Sequence, residues 1–172
     1  MHHRFSRWGV THVPYPAADV PVRVLELQGQ LNLFENAGPL LHRLQREEPF
    51  ASASAMLERA REILSGLSES EQIAVINAHP RIGERVDKLS AASLREQGAT
   101  PAPEVLKRLA ALNEEYEAKF GFRFVVFVNR RSKEAIVPLL EARLRGTRDE
   151  ERRTALREIL AIAEDRLKRE EA

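Results

Sequence analysis

The sequence predicts an all-α, single-domain bundle of about seven or eight helices. Residues 103–120 repeat apolar side chains at spacings of four and three, which gives a helix one apolar face. Ser68 to Glu71 and Thr147 to Glu150 each have the pattern of a capping box at a helix start. The one β-like run, residues 122–128, has no second convincing strand to pair with, so we expect extended chain or a distorted helix start there rather than a sheet.

Composition narrows the function classes. The chain has 172 residues, 43% of them apolar and 31% charged, and its formal net charge is +1. This balance favours neither a nucleic-acid nor a membrane partner, because both would select a basic face. No cysteine is present, which excludes disulfides, thiolate nucleophiles and cysteine-ligated metals. With no apolar run of about 20 residues and no secretory or peroxisomal signal, we expect a cytoplasmic protein.

The chain divides into an N-terminal arm, 1–21, and a helical domain, 22–172. Three prolines interrupt the arm, so it is expected to be irregular. His2, His3 and His12 lie in this arm without acidic or cysteine partners nearby, and a solvated leader explains them better than a metal site.

Three helices are predicted in the first third of the domain. Apolar residues from Val24 onward indicate a first helix, or an extended approach to one, that ends near Asn36 and Gly38. Two further helices are expected over residues 39–47 and 52–66, the second of which ends at a glycine.

The next helix begins at the Ser68 capping box and runs into His79. Pro80 disfavours helical geometry at the residue before it, so His79 is expected where the helix ends and a loop begins. A short helix is predicted over residues 90–97, stopped by Gly98.

Three elements complete the bundle. Gly121 is well placed as the C-cap of the 103–120 helix. Ser132 is expected to cap a helix that ends at Gly146, and the Thr147 capping box begins a long final helix with its own apolar stripe. No internal repeat or second domain is evident.

His79 is the first candidate for chemistry, because histidine titrates near neutral pH and a proline-bounded helix end would hold its ring rigidly. A buried histidine that only caps the helix is the alternative. Glycine-rich phosphate loops, paired helical histidines and a G-x-S-x-G elbow are all absent from the sequence. We therefore expect an enzyme that needs neither a metal nor an organic cofactor.

Two further segments are candidate binding elements. The run Ser93-Leu94-Arg95-Glu96-Gln97 offers a carboxylate and an amide that can hydrogen-bond a polar heterocycle, although a solvated helix end is the simpler interpretation. The run Phe124-Val125-Val126-Phe127-Val128-Asn129 offers backbone groups to a planar ligand, with a core strand followed by a basic turn as the alternative.

These segments, in this order and with these gaps, resemble the decarboxylases of 2-oxo-4-hydroxy-4-carboxy-5-ureidoimidazoline (OHCU), which act late in urate degradation. The resemblance covers nearly the whole chain after the arm. It is carried by Leu33-Phe34-Glu35-Asn36, Ala78-His79-Pro80, Ser93-x-x-Glu96-Gln97, Leu112-Asn113-x-x-Tyr116-x-x-Lys119-Phe120-Gly121-Phe122-x-Phe124-Val125-Val126, Arg131-Ser132-Lys133, Ala155-Leu156-x-Glu158-Ile159 and Ile162-Ala163-x-x-Arg166-Leu167.

The resemblance implies an all-α homodimer that acts on a small molecule without a cofactor. It assigns proton transfer to His79 and places Pro80 in the substrate site. It also implies that Ser93, Glu96 and Gln97 contact substrate, with Glu96 acting on its hydroxyl or ring. The stretch 124–128 would bind ring atoms, partly through its backbone. In such a substrate the neighbouring C=N bond accepts the electrons released with carbon dioxide, and protonation on one face gives (S)-allantoin.

The sequence departs from the family pattern at two positions. In the family an acidic residue commonly follows His-Pro, whereas this chain has Arg81 at that position. The family often has an arginine that binds a carboxylate or carbonyl at the position that Asn129 occupies in this chain. Asparagine cannot make the charged, bidentate contact of arginine. We expect Arg130 or Arg81 to compensate. The alternatives are a related decarboxylase or tautomerase on another small ureido or imidazole acid, and a non-catalytic helical adaptor.

Overall fold

The computed structural model describes residues 20–98 and 100–169, and within them the chain forms eight α-helices without a strand. The all-α prediction is therefore confirmed. The helices are α1 (Val24–Leu31), α2 (Gly38–Glu47), α3 (Ala53–Gly66), α4 (Glu69–Asn77), α5 (Ala91–Gln97), α6 (Pro103–Phe120), α7 (Lys133–Arg143) and α8 (Arg148–Arg169). A 3₁₀ turn, Val86–Lys88, precedes α5. Residues 1–19, and with them almost all of the expected arm, lie outside the described residues.

The predicted helix starts are confirmed by their capping hydrogen bonds. The Ser68 side chain accepts from the backbone of Glu71, whose carboxylate accepts the Ser68 N–H in return. Thr147 and Glu150 form the same reciprocal pair before α8. Ser90 caps α5 and Ser132 caps α7 through side-chain oxygens that accept early backbone N–H groups. These contacts are local, which is why the sequence alone could predict them.

The prediction for the end of the first helix was wrong. Helix α1 ends at Leu31, and Asn32 adopts a left-handed conformation with φ of 49°. The Gln28 amide then holds the following turn, since it accepts the N–H of Phe34 at 2.9 Å and donates to the carbonyl of Glu35 at 2.6 Å. Phe34 in this turn is fully buried in the core.

An aromatic cluster and helix α8 organise the core. Tyr116 packs edge-to-face against Phe120 and Phe124 with ring centroids 4.6 and 5.4 Å apart. Helix α8 packs against α3, α4 and α6, so it reaches from the aromatic cluster to the end of α4. In the described ranges no helix is long and apolar enough to cross a membrane.

The stretch 122–128, here called the extended segment, forms neither a helix nor a strand, so the expectation that it joins no sheet is confirmed. Side chains satisfy part of its backbone. Arg143 donates to the carbonyl of Val125 at 2.7 Å, and the N–H of Phe127 donates to Glu158. Arg143 is itself anchored by an ion pair with buried Glu151 at 2.6 Å. Helices α7 and α8 therefore hold this segment where a neighbouring strand would otherwise do so.

Candidate active site

A small cavity of about 40 Å³, here called the His79 chamber, lies where α4, α5, α8 and the extended segment meet. All three sequence-predicted segments contribute to it. Its lining residues are His79, Pro80, Ile82, Ser93, Glu96, Gln97, Phe124, Val125, Val126, Val128, Ile162 and Arg166. Polar groups from α5, α8 and the end of α4 face apolar side chains of the extended segment, which is the usual composition of a small-molecule site.

His79 is only 3% exposed, and neither nitrogen of its ring has a hydrogen-bond partner in the described part of the chain. Burial and, to a smaller extent, the positive charge of Arg166 together lower the pKa of His79 from 6.5 to about 4, against the opposing effect of Glu35. The Val75 carbonyl also favours the protonated ring, without the geometry of a hydrogen bond. The imidazole is therefore neutral at pH 7 and available to accept a proton.

The backbone around His79 is held firmly. Its N–H donates to the carbonyl of Ile76 at 3.2 Å, which continues the last turn of α4. One guanidinium nitrogen of Arg123 donates to the carbonyls of both Asn77 and His79 at 3.0 Å. A cation at a helix C-terminus satisfies carbonyls that the helix leaves free, so the ring is carried on a rigid support.

Helix α5 presents Ser93, Glu96 and Gln97 to the chamber. The Gln97 amide is used by the loop after His79: its oxygen accepts the N–H of Gly83 at 2.9 Å and its nitrogen donates to the carbonyl of Arg81 at 3.1 Å. The Asn113 side chain donates to the carbonyl of Ile82 in the same loop. Gln97 thus shapes the chamber wall, in addition to any contact it makes with a ligand.

Arg166 of α8 is the charged residue of the chamber lining to which the sequence analysis assigned no role. It is 4% exposed, and its guanidinium donates to both oxygens of Glu96 at 2.7 and 2.9 Å. It also donates to Glu35 at 3.0 Å, to the Ser93 hydroxyl at 3.2 Å and to the Asn32 carbonyl. A signal was present in the sequence, since Arg166 follows the spacing of the apolar stripe of α8 and is therefore a cation on a buried face.

The two arginines expected to compensate for Asn129 lie outside the chamber lining. Arg81 makes a bidentate pair with Glu117 at 2.7 and 2.6 Å. Arg130 lines a neighbouring open groove of about 500 Å³, together with Arg95. Glu96 and Gln97 border both the groove and the chamber, so the groove adjoins the site.

The remaining predicted residues are divided between the chamber and the surface. Asn129 and Arg130 are exposed in a left-handed turn, with φ of 48° and 62°. Leu94 is exposed and Phe127 is half-buried, and neither lines the chamber. Val126 does line it, and its backbone N–H and carbonyl form no hydrogen bond within the described residues, which leaves both groups available to a ligand.

No cluster of three or more histidine, cysteine, aspartate or glutamate side chains suited to a metal ion occurs in residues 20–98 and 100–169. What the chamber contains is a neutral imidazole, a carboxylate held by a guanidinium, and a hydroxyl. This set can take a proton from one atom of a small polar molecule and return it to another.

The lowered pKa of His79 predicts a specific pH dependence of stability. The unfolded chain binds a proton on this histidine near pH 6.5, whereas the folded chain keeps the ring neutral down to about pH 4. Stability therefore falls as the pH drops from 6.5 towards 4, by on the order of 3 kcal/mol from this group. Urea unfolding of wild type and His79→Asn on both sides of this window checks the prediction, which fails if both chains lose stability equally.

Comparison with known proteins gives one consistent family. The sequence profile of the OHCU decarboxylases matches residues 27–168. The "Uric acid degradation bifunctional protein" of Bacillus sp. (strain TB-90) is 33% identical over 139 residues, which cover 78% of this chain and 28% of that protein. The chain thus spans little more than a quarter of this bifunctional relative. The 2-oxo-4-hydroxy-4-carboxy-5-ureidoimidazoline decarboxylase of Haloferax volcanii is 29% identical over 138 residues, with coverage of 78% and 82%.

The fold is also shared with solved structures. The crystal structure of an OHCU decarboxylase in the presence of (S)-allantoin superimposes with a TM-score of 0.67 at 22% identity. The alignment covers 84% of this chain and 95% of that one. At this level of identity the similarity establishes the fold, and the chemistry must be argued from the chamber itself.

Proposed function

Because the chain belongs to the OHCU decarboxylase family, we propose that it converts 2-oxo-4-hydroxy-4-carboxy-5-ureidoimidazoline to (S)-allantoin without a cofactor. The observation that carries the proposal is the buried, neutral and unpartnered ring of His79, which lines a chamber together with Glu96 and Arg166. Ionisable groups with strongly shifted pKa values in a cleft are typical of catalytic sites.

The substrate supplies its own electron acceptor. Its ring carbon carries a hydroxyl and a carboxylate and adjoins a C=N bond. When the bond to the carboxylate breaks and carbon dioxide leaves, the released electron pair forms a C=C bond to the neighbouring carbon. The π electrons of the C=N bond move to its nitrogen, which takes a proton from solvent. The resulting enol then loses its hydroxyl proton and gains a proton on the carbon that bears the ureido group, which yields allantoin.

His79 is suited to the two proton transfers. As a neutral base it can accept the hydroxyl proton, and the imidazolium formed in this buried position beside Arg166 returns a proton readily because its pKa is low. Glu96 would orient the hydroxyl, since Arg166 donates to both of its oxygens and fixes the carboxylate in the chamber lining. Delivery from a single ring fixed at a helix end accounts for addition to one face of the carbon.

Arg166 is our choice for the cation that replaces the arginine expected at position 129. Its Nη1 donates to the Asn32 carbonyl and retains a second hydrogen for a substrate oxygen. Val126 would bind the ring edge through its free backbone groups. Arg130, in the groove next to Glu96, is the second candidate for this cation, whereas Arg81 is engaged by Glu117.

The function is tested by supplying the substrate enzymatically. Urate is oxidised by a urate oxidase in the presence of the hydrolase that follows it, and the purified chain is added while circular dichroism is recorded. Rapid development of the signal of (S)-allantoin is expected. Slow decay to a racemic product, equal to that without the chain, would contradict the proposal.

Asn129 favours a second candidate, a related decarboxylase or tautomerase that acts on another small ureido or imidazole acid. Its exposed side chain lacks the charge that the family pattern provides at this position. A panel of such acids in the same assay separates the candidates. A purely structural adaptor is disfavoured, because burial of an imidazole with neither nitrogen hydrogen-bonded lowers the stability of the fold. A protein without a catalytic site would gain nothing from this loss of stability.

We further propose that the chain acts as a homodimer in the cytoplasm. The family resemblance supports the dimer, and the balanced charge of the sequence, which favours neither a nucleic-acid nor a membrane partner, supports the location. Light scattering on the purified chain gives the mass in solution and tests the assembly.

A further inference from the structure

Glu35 is a charged residue in the turn after α1 that has no part in the proton transfers described above. It is 8% exposed and adopts a left-handed conformation with φ of 51°. Neither property is usual for glutamate, because an ionised carboxylate is costly to bury and a residue with a Cβ rarely adopts positive φ. Backbone conformations of this kind persist where surrounding contacts impose them, and they cluster at functional sites.

One oxygen of the Glu35 carboxylate accepts three hydrogen bonds. The hydroxyls of Ser90 and Ser93 donate to it at 2.9 and 2.6 Å, and the guanidinium of Arg166 donates at 3.0 Å. The donors come from the start of α5 and from α8, two elements that line the chamber. Glu35 therefore connects the turn after α1 to both of them.

These contacts determine where the guanidinium of Arg166 lies. Its plane is held on one side by Glu96 and on the other by Glu35, at N–O distances of 2.7 to 3.0 Å. If Glu35 were uncharged, Glu96 would be the carboxylate that remains paired with Arg166, and the other partners of the guanidinium, the Asn32 carbonyl and the Ser93 hydroxyl, are neutral. The Ser93 hydroxyl would likewise lose the negative charge of the acceptor that orients it.

We propose that Glu35 is a positioning residue, which fixes the guanidinium of Arg166 and the hydroxyl of Ser93 relative to His79 and Glu96. This inference rests on the proposed function, because the groups it positions are those that would bind and protonate the substrate. Glu35 acts through Arg166 and does not touch the substrate.

The proposal predicts that the effect of Glu35 on catalysis depends on Arg166. Glu35→Gln keeps the shape of the side chain and removes its charge, and it should lower kcat/KM by about 30-fold, within the range of couplings seen inside one hydrogen-bond network. In an Arg166→Lys background, where the bidentate geometry is already lost, the same change should cost less than about 3-fold. An equal reduction of kcat/KM by Glu35→Gln in both backgrounds would overturn the proposal.

Two control variants separate positioning from folding. Glu35→Asp retains the charge and suits positive φ better, so it should recover part of the activity that Glu35→Gln loses. Glu26→Gln makes the same chemical change on an exposed residue of α1 and should leave kcat/KM unchanged. If Glu35→Asp is as impaired as Glu35→Gln, charge-dependent positioning is wrong.

A measurement without substrate distinguishes this proposal from the proposed function. Arg166 lowers the pKa of His79 and Glu35 raises it, so Glu35→Gln should shift the titration of the His79 ring to lower pH, as followed by NMR. That shift is expected even if the chain acts on another substrate. An unchanged His79 titration would overturn the positioning role, whereas absence of OHCU decarboxylation in wild type would overturn only the proposed function.

Discussion

Replacing His79 with asparagine is expected to lower kcat/KM for (S)-allantoin formation by about 10²–10⁴-fold, the usual contribution of general acid–base catalysis. Asparagine occupies a similar volume and can remain at the end of α4, but its amide does not titrate between pH 4 and 8. The substrate would then lose carbon dioxide without a group that delivers the proton to one face. Residual product should therefore be racemic as well as slow to form.

The measurement is the circular dichroism assay with coupled urate oxidation, together with far-UV spectra that verify the fold. His42→Asn is the matched control, since His42 is an exposed histidine on α2 and its replacement should leave turnover unaltered. Near-normal turnover in His79→Asn would remove His79 from the mechanism, even with the family membership unchanged.

Replacing Arg166 with glutamine is expected to destabilise the fold by about 3–5 kcal/mol, the cost of removing one partner of a buried ion pair. Glu35 and Glu96 would both remain inside the protein without their shared cation. Activity should also fall by about 10²-fold or more, because Glu96 would no longer be held against the chamber. Urea unfolding and kcat/KM report the two effects separately.

Arg157→Gln provides the control for this substitution on the same helix. Because Arg157 is exposed, its replacement should lower the free energy of unfolding by less than about 0.5 kcal/mol. If Arg166→Gln unfolds, Arg166→Lys keeps the charge and should retain the fold with a raised KM. Arg81→Ala and Arg130→Ala test the other cations. A raised KM in either one, with Arg166→Lys close to wild type, would move the compensating role away from Arg166.

Much of the fold could be predicted because its signals are local. The capping boxes at Ser68 and Thr147 and the glycine stop at Gly121 involve residues within one turn of each other, and all three form as expected. The end of α1 was misplaced for the opposite reason. Gln28 terminates it through contacts with a turn whose position depends on the rest of the core.

The candidate site was accessible from sequence only in part. His79 could be singled out because Pro80 marks a helix end. The residues of α5 and of the extended segment were candidates from their side-chain and backbone groups, and the family resemblance added weight to them. Nothing in the linear order indicated that Arg166 donates a hydrogen bond to Glu35, a residue 131 positions away, in the same buried network. Charges inside a protein must be paired, but the sequence does not state with which partner.

The sequence by itself therefore determined the all-α class, the helix boundaries set by caps, and the identity of a titratable residue at a rigid helix end. Only the tertiary structure decided that this residue is buried and neutral, and that Arg166 rather than Arg81 or Arg130 lines its chamber. The physical reason is the distance along the chain over which each kind of interaction acts. Caps and periodicity act within a few residues, whereas desolvation and ion pairing depend on which distant helices surround a group once the chain has folded.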